Sequence, residues 1–181
     1  MPTASIGRRS LVALLVAAPA AYRVASAGKT APDPACATAE YRQFDFFVGD
    51  WDTYDVGAPS KIVARNTVTY MLGGCAIREV YQQADGLVGE SFSAYDAKRR
   101  VWHQSWITNR GQLLLLDGGM RGDSIVLTGP EKAADGSSSL VRGVWYREAM
   151  GVHERGERSS DNGATWKPWF DIVFRPHAHP D

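Results

Sequence analysis

The sequence predicts an all-β chain folded as an up-and-down antiparallel β-barrel of about ten strands, and three observations carry that expectation. Runs rich in Val, Ile, Thr, Tyr and Trp alternate with turn residues from about residue 40 almost to the end. The breaks between runs are short enough for hairpins and leave no room for the long crossovers that parallel strands need. No stretch after Gly28 sustains a helical period, and only Pro34–Phe47 could hold a short helix. So many short strands in roughly 150 residues must manage their sheet edges, and closure into a barrel removes them. A two-sheet sandwich is the alternative architecture, but no inter-sheet Cys–Trp–Cys signature is present.

The first 27 residues carry Arg8-Arg9, an uncharged run from Leu11 to Ala21, and Ala25-Ser26-Ala27, a small-x-small cleavage pattern. Residues 1–27 therefore read as a signal peptide whose apolar run is well short of the ~20 residues a spanning helix needs. The Arg8-Arg9-Ser10-Leu11-Val12 string resembles a twin-arginine signal. Gly7, where that pattern prefers Ser or Thr, leaves the export route open. The expected location is periplasmic or secreted. Losing residues 1–27 removes Arg8, Arg9 and Arg23 and no acid, so 17 basic and 20 acidic residues remain, a formal charge of −3. That balance argues against nucleic acid as a partner. No later run is long and apolar enough for a membrane anchor: Leu113-Leu114-Leu115-Leu116 is the longest, and Asp117 closes it. Residues 28–40, rich in Ala, Pro, Thr and Asp, read as a flexible tether, 41–176 as the barrel domain and 177–181 as a tail. In an oxidising compartment the two cysteines, Cys36 and Cys75, are expected to pair.

Strands are expected near Trp51–Val56, Ile62–Leu72, Ile77–Gln83, Gly89–Tyr95, Val101–Thr108, Leu113–Gly118, Ser124–Thr128, Leu140–Tyr146, Val152–Ser159 and Trp166–Phe174. Glycine-bearing turns such as Gly73-Gly74, Asp85-Gly86, Arg110-Gly111 and Asp161-Asn162-Gly163 separate many of them. Alternation puts Trp102, Gln104 and Trp106 on one face of a strand and Val101, His103, Ser105 and Ile107 on the other. One strand earlier, Ser91, Ser93 and Tyr95 alternate with Phe92 and Ala94. Aromatics mixed with hydroxyls and an amide suit a ligand cavity better than a dry core, although an aromatic core with Gln104 bonded to backbone is the plainer reading. Glu79, Asp117, Glu154 and Glu157 are acid–base candidates, set against the ordinary fate of strand carboxylates, which is pairing with neighbours such as Arg78, Arg155 and Arg158.

Ser159-Ser160-Asp161-Asn162-Gly163-Ala164-Thr165-Trp166 matches the Asp-box pattern of sialidases and related propellers. Those proteins carry several copies and this chain has one, so it reads as a self-contained hairpin turn. The histidines form no metal site by spacing: His103 and His153 are isolated, and His177 and His179 lie in the tail. No cofactor is expected, since neither a Gly-rich phosphate loop nor a nucleophile elbow is present.

Phe44-Asp45-Phe46-Phe47-Val48-Gly49-Asp50-Trp51-Asp52 resembles the FDFWxGxWDV opening of a group of uncharacterised secreted bacterial proteins with calycin-like (lipocalin- or nitrobindin-like) barrels. Asn66, Leu72-Gly73-Gly74-Cys75, Glu79, Gly89 with Ser91, Tyr95-Asp96, Trp102-x-Gln104-x-Trp106 and the final SSDNGATW with Phe170-Asp171 extend the resemblance from about Tyr41 to Arg175. Gly49-x-Trp51 also resembles the lipocalin opening, which implies that Trp51 plugs one barrel end with Arg175 packed over its ring. Phe47 stands where the group usually has Trp. Gly156 stands where a Trp is expected, so open space or a close approach by another chain segment should follow.

Together these readings predict a carrier or binding protein for a small, partly apolar molecule, held by Glu79, Tyr81, Ser91, Tyr95, Trp102, Gln104 and Trp106, with His103 pointing outward. The alternative is a metal-independent isomerase, cyclase or lyase in the same cavity, with Glu79 and Tyr81 or Gln104 as its acid–base and polarising groups.

Overall fold

The computed structural model describes residues 34–132 and 135–178, so the expected signal segment 1–27 lies outside the described residues, as do part of the expected tether and the end of the expected tail. Ten antiparallel strands close into one barrel: β1 Gly49–Asp55, β2 Ile62–Met71, β3 Ala76–Gln83, β4 Val88–Asp96, β5 Val101–Thr108, β6 Leu113–Arg121, β7 Ser124–Lys132, β8 Ser138–Glu148, β9 Gly151–Ser159 and β10 Lys167–Pro176. Each pairs with its sequence neighbours, and β1 closes on β10 through pairs such as Thr53 with Phe174. The expected up-and-down barrel is what forms, and the sandwich is not.

Several strands run further than their apolar patterns suggest. Glycine ends neither β6 at Gly118 nor β7 at Gly129. A Cβ on Gly118 would lie 2.0 Å from the Val126 carbonyl oxygen, and one on Gly129 would lie 2.0 Å from that of Leu115. These glycines let neighbouring strands approach closely instead of breaking them. By contrast, Gly73 and Gly74, at φ 65° and 91°, make the tight β2–β3 turn that a side chain would strain.

Three short 3-10 turns, Pro34–Cys36, Ala39–Arg42 and Asp45–Phe47, lead into β1 and close one end of the barrel. Phe44, Phe46 and Phe47 are buried there, and Phe44 is 0% exposed. Its ring meets Phe47 at 5.5 Å, Trp102 at 5.7 Å and Trp145 at 5.5 Å. A disulfide between Cys36 and Cys75, with Cα atoms 5.0 Å apart, staples this plug to the β2–β3 turn. The Arg42 guanidinium donates to the carbonyl oxygen of Gly74, a second tie to the same turn.

Trp51 is buried at this closed end and donates its indole N–H to the Phe47 carbonyl oxygen at 2.9 Å. Arg175 is not its partner, contrary to expectation. The residue opposite Trp51 across β1–β10 is Pro176, while Arg175 faces Asp52 and so has the opposite, outward parity. The Arg175 guanidinium lies 4.4 Å from the Tyr54 ring centroid and donates to the Pro59 carbonyl oxygen at 3.0 Å.

The Asp-box segment is the β9–β10 hairpin. Asp161 accepts from the Thr165 backbone N–H at 2.9 Å, the Ser159 hydroxyl at 2.7 Å and the Thr165 hydroxyl at 2.5 Å. These bonds, led by the Thr165 hydroxyl, hold its carboxyl down at about 2. The Trp166 indole donates to the Gly163 carbonyl oxygen at 3.0 Å, which completes a turn satisfied from within.

Candidate functional site

Strand alternation and cross-strand register select which side chains enter the barrel. Glu79 faces Ser91, which faces Trp106; Ile77 faces Ser93, which faces Gln104; and Tyr95 faces Trp102. All seven sequence candidates, Glu79, Tyr81, Ser91, Tyr95, Trp102, Gln104 and Trp106, therefore share the inner face of three adjacent strands. His103 takes the opposite parity and contacts Asp117 at 2.9 Å and Ser105 at 3.1 Å on the outside.

Within that face the residues divide by depth. An interior cavity of about 360 Å³ is lined by Glu79, Tyr81, Gln104 and Trp106, joined by Leu114, Leu116, Trp145, Glu154, Phe170 and Ile172 from across the barrel. Asp55, Gln83, Leu87, Gln112 and Trp169 line it toward the end opposite the plug. Ser91 stands beside the cavity as a hydrogen-bond donor to Glu79. Tyr95 and Trp102 lie deeper, under the plug: Tyr95 meets the Tyr41 ring edge-on at 5.3 Å, and the Trp102 indole donates to Gln43 at 3.1 Å.

Glycines hold the aromatic walls back from the centre. A Cβ on Gly89 would strike the Trp106 ring at 2.3 Å, on Gly143 the Trp145 ring at 2.2 Å, and on Gly156 the Phe170 ring at 2.2 Å. Each ring lies flat over a bare stretch of strand and leaves volume inside it. The missing side chain at Gly156 is thus made good by Phe170, its cross-strand partner.

Two carboxyls meet this cavity. Glu79 on β3 is buried and accepts from Asn66 Nδ2 at 3.0 Å and from the Ser91 hydroxyl at 2.8 Å. Gln104 Nε2 extends the chain by donating to Ser93 at 3.2 Å and Ser91 at 3.4 Å. Burial raises the Glu79 carboxyl from 4.5 to about 7, against the downward pull of Ser91 and Asn66. Glu154 on β9 is pushed well above its ordinary value by burial first and by the charge of Glu79 second. The nearby Trp145 indole pulls it down, although that N–H makes no hydrogen bond of full geometry. Burial and the charges of Glu154 and Glu79 also raise the Tyr81 phenol.

The other acid–base candidates lie outside. Asp117 is bound by Arg99 at 2.8 Å, and Glu157 by Arg142 at 2.5 Å. Sequence reasoning gave Glu154 no inward placement and missed Trp145 and Phe170. The segment Val152–Ser159 is too evenly charged for alternation to mark its inner face, but Gly143-x-Trp145 repeats the Gly49-x-Trp51 spacing and was a legible signal for Trp145.

A group that is harder to ionise when folded makes stability fall as pH rises. For Glu79 this loss should run from about pH 4.5 to about pH 7, then level off, and by linkage total about 3 kcal/mol. Glu79→Gln keeps the shape and removes the charge. It should match wild type near pH 4.5 and exceed it by about that amount at pH 7.5, as read by urea unfolding at both pH values. An equal offset at the two pH values would show that Glu79 does not titrate in this way.

The closed ten-stranded barrel fits a calycin-like architecture. A scan against protein-family models and a search of curated proteins each find no match to the chain.

Proposed function

We propose that this chain is an exported member of the secreted calycin-like group and a carrier that binds a small, partly apolar molecule inside its barrel. The observation that carries this reading is the interior cavity of about 360 Å³, walled by Trp106, Trp145, Phe170 and Ile172 and marked by few polar groups, Glu79, Gln104, Tyr81 and Glu154 among them. Apolar walls supply affinity and convergent polar groups supply orientation, the usual anatomy of a small-molecule site. Export is supported by the signal-like segment 1–27 and by the Cys36–Cys75 disulfide, which belongs to an oxidising compartment.

The apolar dye N-phenyl-1-naphthylamine tests the reading, because it accepts tryptophan emission. Its binding should quench the intrinsic fluorescence, Trp106→Ala should reduce its affinity at least tenfold, and His103→Ala, outside the barrel, should leave it unchanged. Loss of binding in His103→Ala with retention in Trp106→Ala would place the site on the outer surface.

The raised Glu79 carboxyl favours a second reading, an isomerase, cyclase or lyase in which Glu79 moves a proton, since a general acid–base group works best near the operating pH. The readings part at Glu79→Gln. Both readings keep dye binding in that variant, and the enzyme reading alone requires a turnover that the variant loses.

A further inference from the structure

Several carboxyls on the outside of the barrel have cationic partners that Glu79 and Glu154 lack. Arg65 bridges Asp50 and Asp52 at 2.7 and 2.9 Å, Arg78 pairs with Glu90 at 2.7 Å, and Arg99 pairs with Asp96 and Asp117 at 2.7 and 2.8 Å. Among the described residues, neither Glu79 nor Glu154 has a Lys, Arg or His within ion-pair distance. Glu79 is satisfied only by the neutral Asn66 and Ser91. Ionising both carboxyls in one cavity with no counter-ion is costly, so a ligand is the natural source of the positive charge that the protein does not supply.

We infer that the cavity takes a small protonated organic amine, its cation held between Glu79 and Glu154 and its apolar body against Trp106, Trp145 and Phe170. This inference rests on the carrier reading and assigns its ligand class. A second observation supports it. Among the described residues Glu154 has the Trp145 indole N–H beside it as a donor, without full hydrogen-bond geometry, so the acceptor at this end of the cavity is incompletely satisfied. Indole and phenyl faces also attract a cation where water is excluded. An anionic ligand would meet two carboxyls, and a neutral one would leave both protons in place.

Other titratable groups around the cavity do not supply the missing charge. Tyr81 is neutral, and Asp55 adds a further acid toward the open end. Arg142 contributes to the lining but has outward parity, with its guanidinium on Glu157 at 2.8 Å and 4.0 Å from the Trp166 ring centroid. Arg158 on β9 is engaged by Glu131 at 2.8 and 3.0 Å. An entering ammonium ion would let the Glu79–Glu154 pair ionise, so binding near neutral pH should release protons to the buffer.

Isothermal titration with 2-phenylethylamine, 2-phenylethanol and 3-phenylpropanoate tests this on the intact chain. At pH 7 the amine should bind at least tenfold more tightly than the alcohol or the acid. Its binding enthalpy should vary with the ionisation enthalpy of the buffer in the sense of proton release. Glu154→Gln and Glu79→Gln should each weaken the amine at least tenfold and leave the alcohol within threefold, and since neither change adds a charge or alters volume, both should fold. If the alcohol or the acid binds as well as the amine and Trp106→Ala abolishes that binding, the carrier reading stands and the amine assignment is overturned. If none of the three binds and the naphthylamine dye does not bind either, both are overturned.

Discussion

Truncating Phe44 to alanine is expected to destabilise the protein by about 3–5 kcal/mol, the usual cost of removing a phenyl ring from a site that cannot collapse around the void. Phe44 is fully buried and touches rings from the plug itself, from β5 and from β8, so no single neighbour can move in without breaking other contacts. The effect should reach the cavity as well, because Trp145 packs against Phe44 and also lines the cavity. Equilibrium urea unfolding measures the first consequence, and dye affinity the second. Phe92→Ala is the control: that ring is 40% exposed on the outer face of β4 and should change stability by no more than about 0.5 kcal/mol. A Phe44 variant as stable as the Phe92 variant would show that the barrel folds without its plug.

Breaking the disulfide should cost a similar amount for a different reason. Cys36 and Cys75 are 39 residues apart in sequence. Cross-linking a loop of that size removes unfolded-chain entropy worth about 4 kcal/mol at 25 °C. The double variant Cys36→Ser, Cys75→Ser should therefore unfold at lower urea, and reductant should shift wild type to the same midpoint while leaving the variant where it is. Insensitivity of wild type to full reduction would mean that the plug is held by Phe44 and its neighbours alone. Because both changes act on the plug, combining Phe44→Ala with the cysteine pair should not give the sum of the two effects.

Much of the candidate site's placement on the inner face was legible because a strand has a period of two. Once Trp102, Gln104 and Trp106 were placed on one face, burial required that face to be the inner one, and register carried the choice across to Ser91 and Glu79. The same rule, applied at Arg175, would have placed it outside, but strand register across the β1–β10 seam is not visible in sequence. His153 shows the converse: an outward position, yet only 9% exposed, because Glu148 and Asp171 close over it and Tyr146 stacks on its ring at 4.7 Å. Charged side chains on both faces of β9 give alternation nothing to sort, so Glu154 could be found only by seeing where β9 lies.

By itself the sequence determined the class, number and order of the strands, the pairing of two cysteines and the faces of the three strands that carry Glu79, Ser91 and Gln104. These follow from local chemistry: turn residues, alternation, and the lack of any helical period. Tertiary structure decided what lies opposite what. Burial of Phe44 under Trp102, the approach of Phe170 over Gly156, and the sharing of one cavity by Glu79 and Glu154 all join residues distant in the chain. Such contacts depend on how the barrel closes and on the stagger of its strands, which no local pattern encodes.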